Sequence, residues 1–111
     1  MLKSYLNIKS KTFNNWTIIE FEGEINFQNM SLFNNSLDNF LYKKIKNIAL
    51  DFSKLEQITS NGIATILKLN EKIKMNDGHL KILGPSSHVE SIFKSVGIDK
   101  IIRIIKKPEE L

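Results

Sequence analysis

This sequence of 111 residues contains no cysteine, only two prolines and only five glycines. The absence of cysteine excludes disulfides, thiolate metal sites and cysteine nucleophiles, and it is consistent with a reducing compartment. No apolar run approaches the length that a membrane-spanning helix needs, and residues 1–5 lack the apolar segment of a secretory signal. We therefore expect one compact cytoplasmic domain over residues 1–111, large enough to fold without a covalent cross-link.

The motifs of common enzyme classes are also missing. The turn at residues 84–87 has one glycine and no following lysine, so it is not a phosphate-binding loop. His79 and His88 have no partner at ligand spacing, which argues against a metal site. A catalytic Ser60 in a nucleophile elbow would need a glycine two residues before it, where Ile58 stands. We therefore predict a protein that is not an enzyme and that needs neither metal nor cofactor.

The net charge of +4 raises the question of nucleic-acid binding. The lysines are scattered, and the two tight basic clusters are Lys43-Lys44-Lys46 and Arg103-Lys106-Lys107. Neither cluster is interleaved with aromatic residues that we expect to be exposed, and a single arginine offers little capacity to read base edges. Solvated surface lysines are the favoured interpretation, and we predict no direct contact with nucleic acid.

Hydrophobic periodicity predicts the order β-β-α-β-α-β-α-β. Strands are predicted at residues 5–9, 16–22, 45–52, 79–83 and 101–105. Helices are predicted at residues 30–41, 60–75 and 87–96, with the start of a frayed helix at 108–111. Local signals add four expectations, namely a turn at Asn14-Asn15, a strand end at Gly23, a helix cap at Asn29 or a neighbour, and an N-cap at Ser87 paired with Glu90.

These elements predict a single α/β domain. The first two strands are close enough in sequence to pair as an antiparallel hairpin, and the later alternation of strands and helices predicts parallel pairing. The expected product is a mixed, mostly parallel sheet of about five strands with an antiparallel edge hairpin and three to four helices. Residues 45–52 are almost continuously apolar, which is typical of a central strand covered on both faces.

Ser60 is expected just past the carboxyl end of this central strand, where open α/β sheets place their working residues. One interpretation is structural, with Thr59 or Ser60 as an ordinary N-cap and Gly62 allowing close packing of the helix on the sheet. The other is a regulated hydroxyl, because a phosphate at a helix N-terminus meets free N–H groups and the positive end of the helix dipole.

Four short stretches carry a family pattern: Gly23-Glu24-Ile25-Asn26, Asp51-Phe52-Ser53 with residues 58–63, residues 78–84, and Ser95-Val96-Gly97-Ile98. In this order they resemble the STAS domain family over essentially the whole chain, and above all its bacterial anti-sigma factor antagonists. The resemblance implies a protein that binds an anti-sigma factor which is also a serine kinase. It further implies that phosphorylation of the antagonist ends binding and that a phosphatase restores it.

The resemblance places the phosphate acceptor on Ser60, with Thr59 as a second candidate, and the partner-binding surface on Asn26, Thr59, Ser60, Asn61 and Gly62. The family usually has aspartate at the positions of Asn26 and Thr59, so two negative charges are missing here. This departure keeps open an alternative, a STAS interaction module that no longer cycles and acts as a scaffold in a sensory or transporter-associated complex.

Overall fold

A computed structural model describes residues 5–111. It contains five strands: β1 (Leu6–Phe13), β2 (Trp16–Ile25), β3 (Asn47–Ile58), β4 (His79–Leu83) and β5 (Arg103–Ile105). It contains three α-helices: α1 (Met30–Tyr42), α2 (Ser60–Met75) and α3 (Ser87–Ser95). Short 3₁₀ turns lie at Phe27–Asn29, Ile98–Lys100 and Pro108–Glu110. The predicted element order is confirmed, and the last of these turns replaces the predicted terminal helix.

The strands lie side by side in chain order, β1-β2-β3-β4-β5. β1 pairs antiparallel with β2, whereas β2 to β5 are parallel. The predicted fold class is therefore confirmed. Because each right-handed crossover steps one strand further in the same direction, all three helices lie on one face of the sheet.

The main core lies between this helical layer and the sheet. Four fully buried phenylalanines run across it, with neighbouring ring centroids 5.3–5.8 Å apart: Phe33, Phe21, Phe52 and Phe93. Both faces of the central strand are buried, as predicted, but the second face is covered only by a small cluster. There Ala49 packs with Ile18, Leu83 and Ile105 under the partly buried residues Phe13, Trp16 and Leu111. The Nζ atom of Lys81 lies 4.9 Å from the centroid of the Trp16 ring.

The central strand is longer than predicted. We expected a loop after Phe52, but β3 continues to Ile58 along β2. It carries one extra residue relative to β2 at two places, between Asp51 and Lys54 and between Leu55 and Gln57. At the first place the Asp51 carboxylate accepts hydrogen bonds from the N–H and the hydroxyl of Ser53 at 2.9 and 2.7 Å. Because of these bulges the buried residues Phe52, Leu55 and Ile58 are three positions apart instead of two. The two-residue alternation that identifies a strand is therefore absent from this part of the sequence.

The edge hairpin also differs from its prediction. The turn at Asn14-Asn15 is confirmed, with φ values of 49° and 67° that suit a two-residue hairpin turn. β1, however, continues through Phe13, past the end predicted for this strand at residue 9. Gly23 does not end β2; it lies inside the strand with φ +113°, and its Cα faces the Tyr5 carbonyl so closely that no side chain fits.

Two predicted side-chain caps differ from the structure. Asn29 occupies the N-cap position of α1, as predicted, but its side chain makes no capping hydrogen bond to that helix. The side chain of Asn26 instead accepts the N–H groups at the start of the Phe27–Asn29 turn. The N-cap of α3 is Ser86, whose hydroxyl accepts the Val89 N–H at 3.2 Å, so Ser87 is the first helical residue. In both cases the residue that caps is the one whose backbone is still extended when the helix begins.

The basic cluster after α1 has an exposed aromatic neighbour that the sequence did not predict. Tyr42 is 89% exposed directly before Lys43, and Met75 at the end of α2 is 83% exposed. Our expectation that no exposed aromatic accompanies these lysines was therefore wrong. Within residues 5–111, no helix is long and apolar enough to cross a membrane.

Candidate functional site

The carboxyl ends of β2 and β3 form the base of the candidate site. Beyond Asp51, β3 has already passed the end of its pairing with β4, and it continues against β2 until Ile25 lies opposite Ile58. The Thr59 N–H then donates to the Ile25 carbonyl at 3.1 Å. This is the last hydrogen bond between the two strands. It places Asn26, the first residue after β2, beside Thr59, the last residue before α2.

Thr59 is the N-cap of α2. Its backbone is extended, its carbonyl accepts the Ile63 N–H at 3.1 Å, and its hydroxyl accepts the Gly62 N–H at 3.4 Å. Of the two caps that the sequence allowed, the structure therefore selects Thr59. This leaves Ser60 as the first helical residue, exposed, with a hydroxyl that makes no hydrogen bond to the described part of the chain.

Gly62 brings α2 onto the two strand ends. A Cβ atom at this position would lie 2.8 Å from Ile25 Cγ2 and 2.8 Å from Ile58 Cγ1. Both isoleucines are buried, and these atoms sit close to their backbones, so the side chains cannot yield easily. The close packing that the sequence suggested for Gly62 is confirmed. Gly62 is itself buried, so any share it takes in partner binding acts through the position of the helix.

Asn26 fixes the turn that follows β2, directly after the residue that is hydrogen-bonded to Thr59. Its Oδ1 accepts the N–H groups of Gln28 at 2.9 Å and Asn29 at 3.2 Å, while the Asn29 Oδ1 accepts the Asn26 N–H at 2.9 Å. The Asn26 Nδ2 donates to the Glu24 carboxylate at 3.1 Å. An aspartate could make the first two bonds but not the last, and it would repel Glu24. Asparagine is thus the residue that lets Glu24 approach this turn.

The turn displays Phe27, which the sequence prediction missed as a functional candidate. Its side chain is 82% exposed. It lies at one side of an open cleft of about 290 Å³ between the turn, α1 and the first turns of α2, together with Met30, Asn61, Ala64 and Lys68. The signal in the sequence is the pair Asn26 and Asn29, whose spacing predicts a capped turn that starts at Phe27.

The electrostatics around Ser60 are simple. The first turn of α2 contains no acidic residue, so the positive end of its dipole is not neutralised from within the helix. Farther down the same strand pair, Lys54 Nζ contacts a Glu20 carboxylate oxygen at 2.9 Å. This hydrogen bond holds the pKa of Glu20 below its ordinary value and raises the pKa of Lys54. Lys54 is exposed and Glu20 is half-buried, and the pair joins β2 to β3 across the first bulge.

Residues 5–111 hold no cluster of three His, Asp or Glu side chains that could bind a metal ion. The hydrogen bond between Thr59 and Ile25 thus places Asn26 next to the start of α2, where Ser60 and Asn61 are exposed. This arrangement offers an exposed hydroxyl on Ser60 and a contact surface around it.

Comparison with known proteins gives a consistent picture. A family model described as STAS domain matches residues 7–111. No curated protein matches this sequence. A crystal structure of a candidate anti-sigma factor antagonist from Thermotoga maritima is 26% identical, with a TM-score of 0.86 over 93% of this chain and 89% of that chain.

Two more distant structures share the fold. An anti-sigma factor antagonist from Mycobacterium paratuberculosis is 13% identical, with a TM-score of 0.87 over 96% of this chain and 91% of that one. The Bacillus cell fate determinant SpoIIAA, solved in its phosphorylated form, is 16% identical, with a TM-score of 0.72 over 96% of this chain and 94% of that one.

Proposed function

This chain belongs to the STAS domain family, and from that premise we propose that it is an anti-sigma factor antagonist switched by phosphorylation of Ser60. In this proposal its unphosphorylated form binds a cytoplasmic anti-sigma factor that is also a serine kinase, and a phosphatase reverses the modification. The observation that carries the proposal is the Ser60 hydroxyl at the start of α2, which is exposed and makes no hydrogen bond within residues 5–111. Similarity to the Thermotoga maritima structure supports the class of partner.

Ser60 is a better acceptor than Thr59 on geometric grounds. A kinase must reach the hydroxyl oxygen, and Ser60 is exposed, whereas Thr59 is half-buried and its hydroxyl already accepts the Gly62 N–H. A phosphate on Ser60 would add roughly −1.5 to −2 charges at neutral pH. The fold tolerates this charge because it lies at the positive end of the α2 dipole.

The same charge would change what a partner meets. A surface that accommodates the neutral Ser60 and Asn61 side chains would have to desolvate a dianion when Ser60 is phosphorylated. Unless the partner provides compensating cations, the contact is lost. A modification that leaves the fold intact and alters one surface is a suitable switch for binding.

One observation favours a second candidate function, the STAS interaction module that does not cycle. Asn26 and Thr59 carry no charge at positions where the family usually has aspartate, and both side chains are engaged in the local turn and cap. A kinase that reads two carboxylates would find neither of them at these positions. Under this alternative the same surface holds a permanent partner, and Ser60 is only a helix residue.

Incubation with the anti-sigma serine kinase of the source organism and ATP, followed by intact mass measurement, separates these functions. We expect one added phosphate on the wild type and on Thr59→Ala, and none on Ser60→Ala. Ser87→Ala is the matched control, because Ser87 is also the exposed first residue of a helix behind a hydroxyl N-cap. Absence of phosphate on the wild type, or phosphate retained in Ser60→Ala, would contradict the switch at Ser60.

Binding of the same kinase then tests the consequence. We expect Ser60→Asp to weaken binding strongly and Ser87→Asp to leave it close to wild type. Equal affinity of the wild type, Ser60→Ala and Ser60→Asp would favour the module that does not cycle.

A further inference from the structure

Phe27 is exposed in a way that distinguishes it from the other phenylalanines. Of the seven in the chain, four are fully buried and two are half-buried, whereas Phe27 is 82% exposed. A single exposed apolar side chain is common on protein surfaces and needs no explanation by itself. Its setting is what suggests a use.

The turn that carries Phe27 is fixed by hydrogen bonds from the residues before and after Phe27 in the chain. Asn26 and Asn29 cap each other's backbone, with three N–H groups accepted at 2.9–3.2 Å. The Asn29 Nδ2 also donates to the Glu24 carbonyl at 2.8 Å, which ties the turn to the end of β2. The backbone of Phe27 is therefore ordered before any partner arrives, so binding through this ring costs little backbone conformational entropy.

The ring borders the surface that we assign to the partner. Asn26, which caps this turn, follows the residue that accepts the Thr59 N–H, and Asn61, which follows Ser60, lines the same cleft as Phe27. Apolar lining comes from Met30 and Ala64. Among the residues that line this cleft, Lys68 is the one with a charge. A complementary partner would thus offer apolar surface to the ring and a carboxylate to Lys68.

We propose that Phe27 is the aromatic anchor of the partner complex, inserted into an apolar socket on the anti-sigma factor that has an acidic residue at its rim facing Lys68. This inference rests on the function proposed above and adds a division of labour to it. Phe27 provides affinity through burial of its ring. Phosphorylation of Ser60 determines whether the neighbouring surface can also contact the partner. Buried aromatic anchors of this kind dominate the affinity of many interfaces.

The test measures the affinity of the anti-sigma serine kinase for Phe27→Ala, Phe27→Leu and Lys68→Glu. We expect Phe27→Ala to raise the Kd at least ~30-fold, the level that defines an interface hot spot. Phe27→Leu should lie between Phe27→Ala and wild type. Lys68→Glu should slow association mainly at low salt. Tyr42→Ala, which removes an equally exposed aromatic at the other end of α1, should stay within about 2-fold of wild type.

Phosphorylation kinetics provide a second readout. If Phe27 only holds the kinase, Phe27→Ala should raise the KM for phosphorylation of Ser60 and leave kcat unchanged. The melting temperature of Phe27→Ala should stay within about 2 °C of wild type, because an exposed side chain contributes little to the core. Phe27→Leu keeps the test valid should the alanine variant fold poorly.

Each outcome decides between the claims. If Ser60→Asp weakens binding but Phe27→Ala does not, the anchor is wrong and the switch stands. If Phe27→Ala weakens binding and Ser60→Asp does not, the anchor stands and the switch is wrong. A wild-type protein that does not bind this kinase overturns both. Loss of a homodimer in Phe27→Ala, seen by sedimentation, would assign the ring to a second copy of this chain and overturn the anchor.

Discussion

Replacement of Ser60 by aspartate places one negative charge on the first residue of α2. The first turn of this helix has no acidic residue, and its Ser60 and Asn61 N–H groups have no acceptor within the described part of the chain. A negative charge at an exposed helix N-terminus stabilises the folded protein by about 0.3–1 kcal/mol at low ionic strength. For a domain of this size we therefore expect the melting temperature to rise by roughly 1–4 °C.

Thermal unfolding followed by circular dichroism at low and high salt measures this effect. The gain should shrink in high salt, because exposed charges are screened. Ser87→Asp is the matched control, since α3 already has Glu90 in its first turn and should gain less. We thus expect Ser60→Asp to be more stable than wild type while it binds the partner less well. A melting temperature below wild type would refute both the dipole argument and the claim that the fold tolerates phosphorylation. A gain that salt does not reduce would refute the dipole argument alone.

Two further predictions concern the framework around the site. Gly23→Ala should cost about 2–5 kcal/mol of unfolding free energy, because its Cβ would overlap the Tyr5 carbonyl oxygen at φ +113°. Gly97 has φ +80°, but a Cβ atom there would meet no other atom within 4 Å, so Gly97→Ala should cost only about 1–2 kcal/mol. If urea unfolding showed the same loss of unfolding free energy for both variants, the overlap with Tyr5 would not be the cause. The N–H groups of Lys107 and Lys106 hold the pKa of Glu110 below its ordinary value of 4.5. Glu110→Gln should therefore lower the urea midpoint at pH 7, and the difference should vanish as the pH falls below 4.5 through the folded pKa; a difference independent of pH would contradict it.

Elements with a regular hydrophobic period were predictable from the sequence. The bounds predicted for α2 and for β4 agree with the structure. In α2 the apolar residues recur at helical spacing and Asn76-Asp77-Gly78 follows as a stop signal, so local physics alone determines the element. The mixed sheet followed from the order of elements and the handedness of crossovers.

The extension of β3 was not predictable in this way. Ser53, Lys54, Glu56 and Gln57 are exposed and polar, and the two bulges shift Leu55 and Ile58 out of the two-residue period. Such a segment is a strand only because β2 provides hydrogen-bond partners for its backbone. The same holds for the later part of β1, an edge strand with little apolar pattern of its own.

The candidate site shows the same division. Its residues on α2 could be named from the sequence, since a small polar stretch between an apolar strand and an amphipathic helix is a local signal. The exposure of Phe27 could not, because an aromatic residue next to an apolar strand is more often buried. Whether its ring enters the core depends on where the Asn26–Asn29 turn leaves the sheet, which is a property of the assembled fold.

The sequence by itself determined that this protein is one α/β domain with a serine at the start of its second helix. These features follow from periodicity, capping and turn residues, which act over a few positions of the chain. Tertiary structure decided that β3 reaches Ile58, that Thr59 donates to Ile25, and that Phe27 stands exposed at a cleft that Asn61 also lines. Those outcomes depend on backbone pairing between segments more than thirty residues apart, and no local pattern records which segment will provide the partner.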